Sequence, residues 1–217
     1  MKMDQWLNNM NRRFARHAIV NLMNYIVGGM ALVFVADIVF SQQQGYSLTA
    51  VLDFDKAAIL SGQVWRIITF VFVPPESGSL FAIISMYLFW LIGGSLETSW
   101  GAFRFNVFYF CGAISSMLVG LLSGYATNYY LNLSLFLAFA ILYPDFELRM
   151  FFFLPIKVKY LAMLDAALLI MSLFTSDWPG RLALLISLLN ILLFFGSNFI
   201  DRIKNLRRRR EYRKYFK

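Results

Sequence analysis

Six apolar segments divide this chain, and most are close to the length needed to cross a lipid bilayer. They run over Ala18–Phe40, Leu80–Leu96, Phe103–Ser123, Tyr129–Tyr143, Lys159–Phe174 and Leu182–Ile200. A bilayer core about 30 Å thick needs roughly 20 helical residues, and within it every backbone amide and carbonyl must find its partner inside the protein. Runs of this kind are therefore expected to fold as spanning helices, with the fourth and fifth short for a full crossing. Composition agrees: of 217 residues, 59% are hydrophobic and only 15% charged, far to the apolar side of a soluble domain. The expected organisation is a basic segment 1–17, one membrane domain 18–200 and a basic tail 201–217. A cleaved signal peptide is not expected, because the first apolar run is too long and no small-x-small site follows it. Ile67–Val73 is apolar but short, ends at Pro74-Pro75 and reads as an interfacial piece of the long first loop.

Charge placement tests the count of six. With both termini in the cytoplasm, 17 of the 20 Lys and Arg residues fall on that side, and only Lys56, Arg66 and Arg181 fall outside. Cytoplasmic enrichment of basic residues is the rule for such proteins, and five or seven spans would misplace one basic terminus. The tail carries Arg207, Arg208, Arg209, Arg210, Arg213 and Lys214. Contact with anionic membrane lipid is the expected role, worth about 1 kcal/mol per basic residue near the surface. Nucleic acid is not expected as a partner. The lone Cys111 lies in an apolar segment, which excludes a disulfide framework and a cysteine metal site. No metal and no cofactor is expected.

Three short stretches occur in an order met elsewhere. Gly62-Gln63-Val64-Trp65-Arg66 begins the apolar piece of the first loop. Gly93-Gly94-Ser95-Leu96-Glu97, with Trp100-Gly101, closes the second span. Ala138-Phe139-Ala140-Ile141-Leu142-Tyr143-Pro144, then Phe153-Leu154-Pro155-Ile156-Lys157, closes the fourth. Together with six spans, these resemble the rhomboids, intramembrane serine proteases that cut with a Ser–His pair. The Trp-Arg pair is especially similar to that of the inactive relatives, the derlins and iRhoms. The resemblance covers about residues 18–200 and implies a six-helix bundle with an interfacial first loop.

The departures fall on the chemistry. A hydroxyl nucleophile needs a base within hydrogen-bond reach, and the one histidine, His17, precedes the first span. Aligned through Ala138, the family's Gly-x-Ser-Gly falls on Thr127-Asn128-Tyr129-Tyr130. The oxyanion donors of the second helix fall near Phe81 and Ser85, and the sixth-helix histidine near Ser187. No catalytic residue is assigned. Ser134, on the fourth span, is expected to bond back to its own helix.

Several polar side chains remain in the spans. Asp165 is either an ion, proton or client site, or a residue near the cytoplasmic end of its span, hydrated or held by Lys159. Asn106, Asn132 and Asn190 are expected to cross-link helices, and Asp37 to reach the interface. Gly112, Ser116, Gly120 and Gly124 recur every fourth residue as a small-residue stripe for close helix packing. Trp65 is expected at the interface and Arg66 on loop carbonyls or lipid phosphate, with contact to clients as the alternative role of the Trp-Arg loop. Glu97 meets an unfavourable helix dipole and needs a partner, expected in the next loop or at Arg104.

The sequence therefore predicts an all-α membrane protein, a six-transmembrane-helix rhomboid-like bundle with both termini cytoplasmic. By resemblance to the derlins and iRhoms, it binds transmembrane segments or membrane-protein clients and affects their stability or trafficking, in the plasma membrane of a prokaryote. An active serine endopeptidase and a small-solute transporter are the competing readings; no internal repeat supports the second.

Overall fold

A computed structural model describes residues 15–44, 47–75, 79–150 and 154–176, together with Trp178 and residues 180–182, 184–185 and 188–189. Helix α1 (Leu22–Gln44) leads into a first loop holding α2 (Leu48–Leu52), strand β1 (Phe54–Asp55), α3 (Lys56–Leu60) and α4 (Arg66–Thr69). A 3-10 turn over Phe70–Phe72 ends that loop at the two prolines. Then come α5 (Ser79–Trp100), α6 (Ala102–Ser123), β2 (Tyr125–Ala126), α7 (Tyr129–Leu142), the strands β3 (Glu147–Met150) and β4 (Leu154–Lys157), and α8 (Val158–Thr175).

Four of these helices, within α1, α5, α6 and α8, are long and apolar enough to cross a membrane, with spans of 20, 21, 22 and 18 residues. Helix α7 is apolar but has 14 residues, about 21 Å at 1.5 Å per residue. The sixth expected segment lies largely outside the described residues; Leu182, Leu184, Leu185, Leu188 and Leu189 are helical. The outward faces support a membrane setting. Leu122, Leu32 and Phe174 are 77%, 75% and 75% exposed, whereas Asn106, Asn132, Arg66 and Glu97 are buried. Large apolar side chains pointing outward over several helices suit lipid and not water. The protein is mostly helical and built for a membrane.

The all-α expectation is corrected at two places. β1 and β2 pair antiparallel, Phe54 opposite Ala126, and β3 and β4 form a hairpin with Glu147 opposite Lys157. Backbone at a bundle end has no helical ladder to close on, and strand pairing supplies the missing partners. Lys159 and Asp145 form an ion pair at 2.8 Å beside that hairpin. The ammonium holds the Asp145 carboxyl below its ordinary range.

Between helices in lipid, association rests on close packing rather than on expelled water, so small residues matter. A Cβ at Gly29 would strike the Phe72 ring, and one at Gly93 would strike Met23. Those contacts seat the first loop and α5 on α1. Gly101 alone joins α5 to α6 with φ +82°, a conformation that favours glycine. The core is aromatic: Phe54, Phe105, Phe108, Tyr109 and Phe139 are fully buried, and Phe54 meets Phe70 edge-to-face at 5.7 Å.

Candidate functional site

A cleft of about 630 Å³ lies between α5, α7 and α8, within the range of small-molecule sites, roughly 300–1,000 Å³. Leu88, Phe89 and Ile92 of α5 and Leu133 and Phe136 of α7 give it apolar walls. Pro74 and Pro75 of the first loop bound it at one end. Its polar groups come from Ser85, Tyr125, Thr127, Asn128, Tyr129, Asn132, Asp53 and Asp165.

The head of α7 is built from the segment that the rhomboid resemblance aligns with the nucleophile. Tyr125-Ala126 is held by β1, and the next residues turn into the helix. Thr127 Oγ1 accepts the Tyr129 amide at 2.8 Å, as in a serine/threonine turn. Asn128 is buried and donates Nδ2 to the carbonyls of Val73 (2.7 Å) and Val71 (3.3 Å). It ties the 3-10 turn of the first loop to the head of α7. Nothing in the sequence marks this residue, because its partners lie 55 and 57 positions away. Tyr129 is exposed and lines the cleft, and Tyr130 packs edge-to-face on it at 5.3 Å. Ser85 stands on the opposite wall, while Phe81 is exposed at 53%.

Asp165 and Asn132 both line this cleft. Asp165 stands seven residues into α8, about 10 Å from its start. Lys159 does not hold it: that ammonium binds Asp145. Positions six apart on a helix are about 120° apart around the axis, so the two side chains leave different faces. Among the described residues Asp165 has no hydrogen bond and no ion pair. A carboxylate at that depth costs about 2.5–3.5 kcal/mol on insertion scales, which a facing cleft relieves. Asn132 is 5% exposed, and its Oδ1 has no hydrogen-bond partner. Asn106 Oδ1 is likewise buried without a partner, so neither amide carbonyl makes the interhelical bond expected of it. Asn190 and Ser187 lie outside the described residues. Ser134 bonds its own helix, Oγ to the Leu131 carbonyl at 2.7 Å.

The family-like loop separates into two roles. Arg66 is buried, donating to the carbonyls of Ala50 (2.9 Å) and Asp53 (2.8 Å) and to Gln63 Oε1 (2.7 Å). It gathers carbonyls where the loop has no ladder to satisfy them. Trp65 is 47% exposed, with Nε1 on the Val51 carbonyl at 3.4 Å. Asp37, near the far end of α1, caps α2, accepting the Leu48 amide, the Thr49 amide and the Ser47 hydroxyl.

Glu97 performs the same service at the other end of α1. Its carboxylate accepts the Asn21 amide at 2.6 Å and the Leu22 amide at 3.2 Å. The open amides of a helix N-terminus attract a carboxylate, and these partners lie 75 and 76 residues upstream of Glu97 rather than in the loop after it. In the small-residue stripe, Gly112 and Gly120 are buried and Ser116 is half-buried. A Cβ at Gly120 would come within 2.6 Å of Ala126 Cβ and of the Phe54 ring. Gly124, expected in the stripe, ends α6 in the left-handed conformation, its amide on the Gly120 carbonyl at 2.8 Å; the stripe leaves the helix there.

What this arrangement does chemically follows from its groups. Tyr129, Thr127 and Ser85 bring hydroxyls to the cleft, but no imidazole lies beside them. His17 sits four residues before Asn21, at the Glu97 end of α1, a helix length away from the first loop. Among the described residues no group of three or more His, Cys, Asp or Glu is placed to hold a metal. No family model and no curated protein matches the chain.

Proposed function

We propose that this protein is a catalytically inactive rhomboid-like membrane protein. In this reading it has six spans and both termini in the cytoplasm, sits in the plasma membrane of a prokaryote, and binds transmembrane segments of client proteins. The observation that carries the reading is the cleft at the head of α7. It has apolar walls suited to a helix or an unwound segment, an arginine-braced loop at one end, and Thr127-Asn128-Tyr129-Tyr130 where the resemblance asks for a serine. The histidine that a rhomboid would set beside its serine is not among the cleft's lining residues, and the chain's one histidine precedes the first span. The resemblance to the derlins and iRhoms supplies the client-binding role, and fold alone does not decide it.

The test is capture in living membranes. A photo-cross-linking amino acid at Phe136 or Phe89, inside the cleft, should trap membrane proteins. The same group at Leu122, on the outer face of α6, should trap lipid or scattered background. Equal patterns at all three positions would overturn client binding at the cleft. Reporter fusions should place both termini in the cytoplasm and the 42–78 loop outside; an external C-terminus would overturn the six-span topology. A solute signal that depends on Asp165 while Phe136 captures nothing would favour the transporter.

A further inference from the structure

Resting on that reading, we infer that the cleft selects transmembrane segments carrying a lysine or arginine near their middle. The described walls of the cleft hold two carboxylates, Asp165 and Asp53, and no lysine, arginine or histidine. Asn132 is an independent sign. It is 5% exposed, lines the cleft, and presents an Oδ1 that no donor meets. A buried acceptor without a partner is satisfied when a donor enters. Asp165 and Asn132 stand on helices packed against each other, α8 and α7, and line one cleft that an ammonium or guanidinium could enter. The rings of Tyr129 and Phe136 line the same space and offer faces to a cation.

Depth decides the source of the cation. Asp165 stands about 10 Å along α8, near the middle of an 18-residue segment long and apolar enough to cross a membrane. A basic residue in the middle of a partner helix arrives at that depth already, and each charge alone is unfavourable there. Pairing relieves both, and the bare Asn132 oxygen adds a hydrogen bond. The same segment without its basic residue still fits the apolar walls, but leaves Asp165 and Asn132 unmet.

The test uses the full protein in phosphatidylcholine nanodiscs, with a photo-cross-linker at Phe136. The probes are hydrophobic leucine–alanine transmembrane peptides with lysine, arginine or leucine at the central position. The lysine and arginine peptides should be captured about tenfold better than the leucine peptide, the size of one charge-assisted hydrogen bond. In Asp165→Asn the three peptides should be captured equally, and Asp165→Glu should restore the preference. Equal capture of all three by the unaltered protein overturns the inference while leaving client binding in place. A preference that survives Asp165→Asn overturns it as well. Loss of the preference when phosphatidylethanolamine replaces phosphatidylcholine would make a lipid amine the occupant and overturn the peptide assignment. Failure to capture any peptide overturns the client reading itself.

Discussion

Replacing Glu97 tests the contact that joins the start of α1 to the end of α5. In Glu97→Ala the amides of Asn21 and Leu22 lose their acceptor. A hydrogen bond to a charged group contributes about 1.5–3 kcal/mol. Asn21 is exposed, and water can replace its partner; Leu22 is buried, and its amide stays unmet. The expected loss is therefore about 2–4 kcal/mol, most of it from the Leu22 amide and the favourable charge at a helix N-terminus. Glu97→Gln keeps an acceptor oxygen and loses only the charge, for about 1 kcal/mol. Reversible unfolding of purified protein in mixed detergent micelles, followed by helical ellipticity, measures both. A loss under about 0.5 kcal/mol for Glu97→Ala, or equal losses for the two variants, would refute the capping argument.

Arg66→Ala should destabilise by about 2–3 kcal/mol in the same assay, since two loop carbonyls lose a charged donor, whereas half-exposed Trp65→Ala should cost under about 1 kcal/mol. Equal losses would show that the loop does not depend on the Arg66 contacts. Gly120→Val should cost about 1–3 kcal/mol by overpacking against Phe54 and Ala126, while Gly94→Ala, with open space around its Cα, should be tolerated; the reverse order would refute the close-approach assignment. Fluorophosphonate probes should not label any serine of the folded protein. Labelling that vanishes on changing one serine to alanine would restore the protease reading.

The sequence by itself determined the membrane setting and most of the helical ends. Apolar run length sets where a chain must be helical in lipid, and that information is local. Gly101 and Gly124, at φ +82° and +100°, lie where the runs break, and Pro144 follows the end of α7. The polar chemistry was legible only as residue types. Glu97 was recognisable as a carboxylate in need of a partner, yet which amides it meets depends on α1 returning beside α5. Asp37, Arg66 and Asn128 are alike: each bonds backbone 11 or more residues away, and backbone groups carry no sequence signature. The cleft is decided the same way. Asp165 and Asn132 stand 33 positions apart in the chain, and only the packing of α7 against its neighbours brings a carboxylate and a bare amide oxygen to one space. Periodicity and hydropathy place a residue along a helix axis; which face looks inward, and at what, is set by long-range packing that no local pattern records.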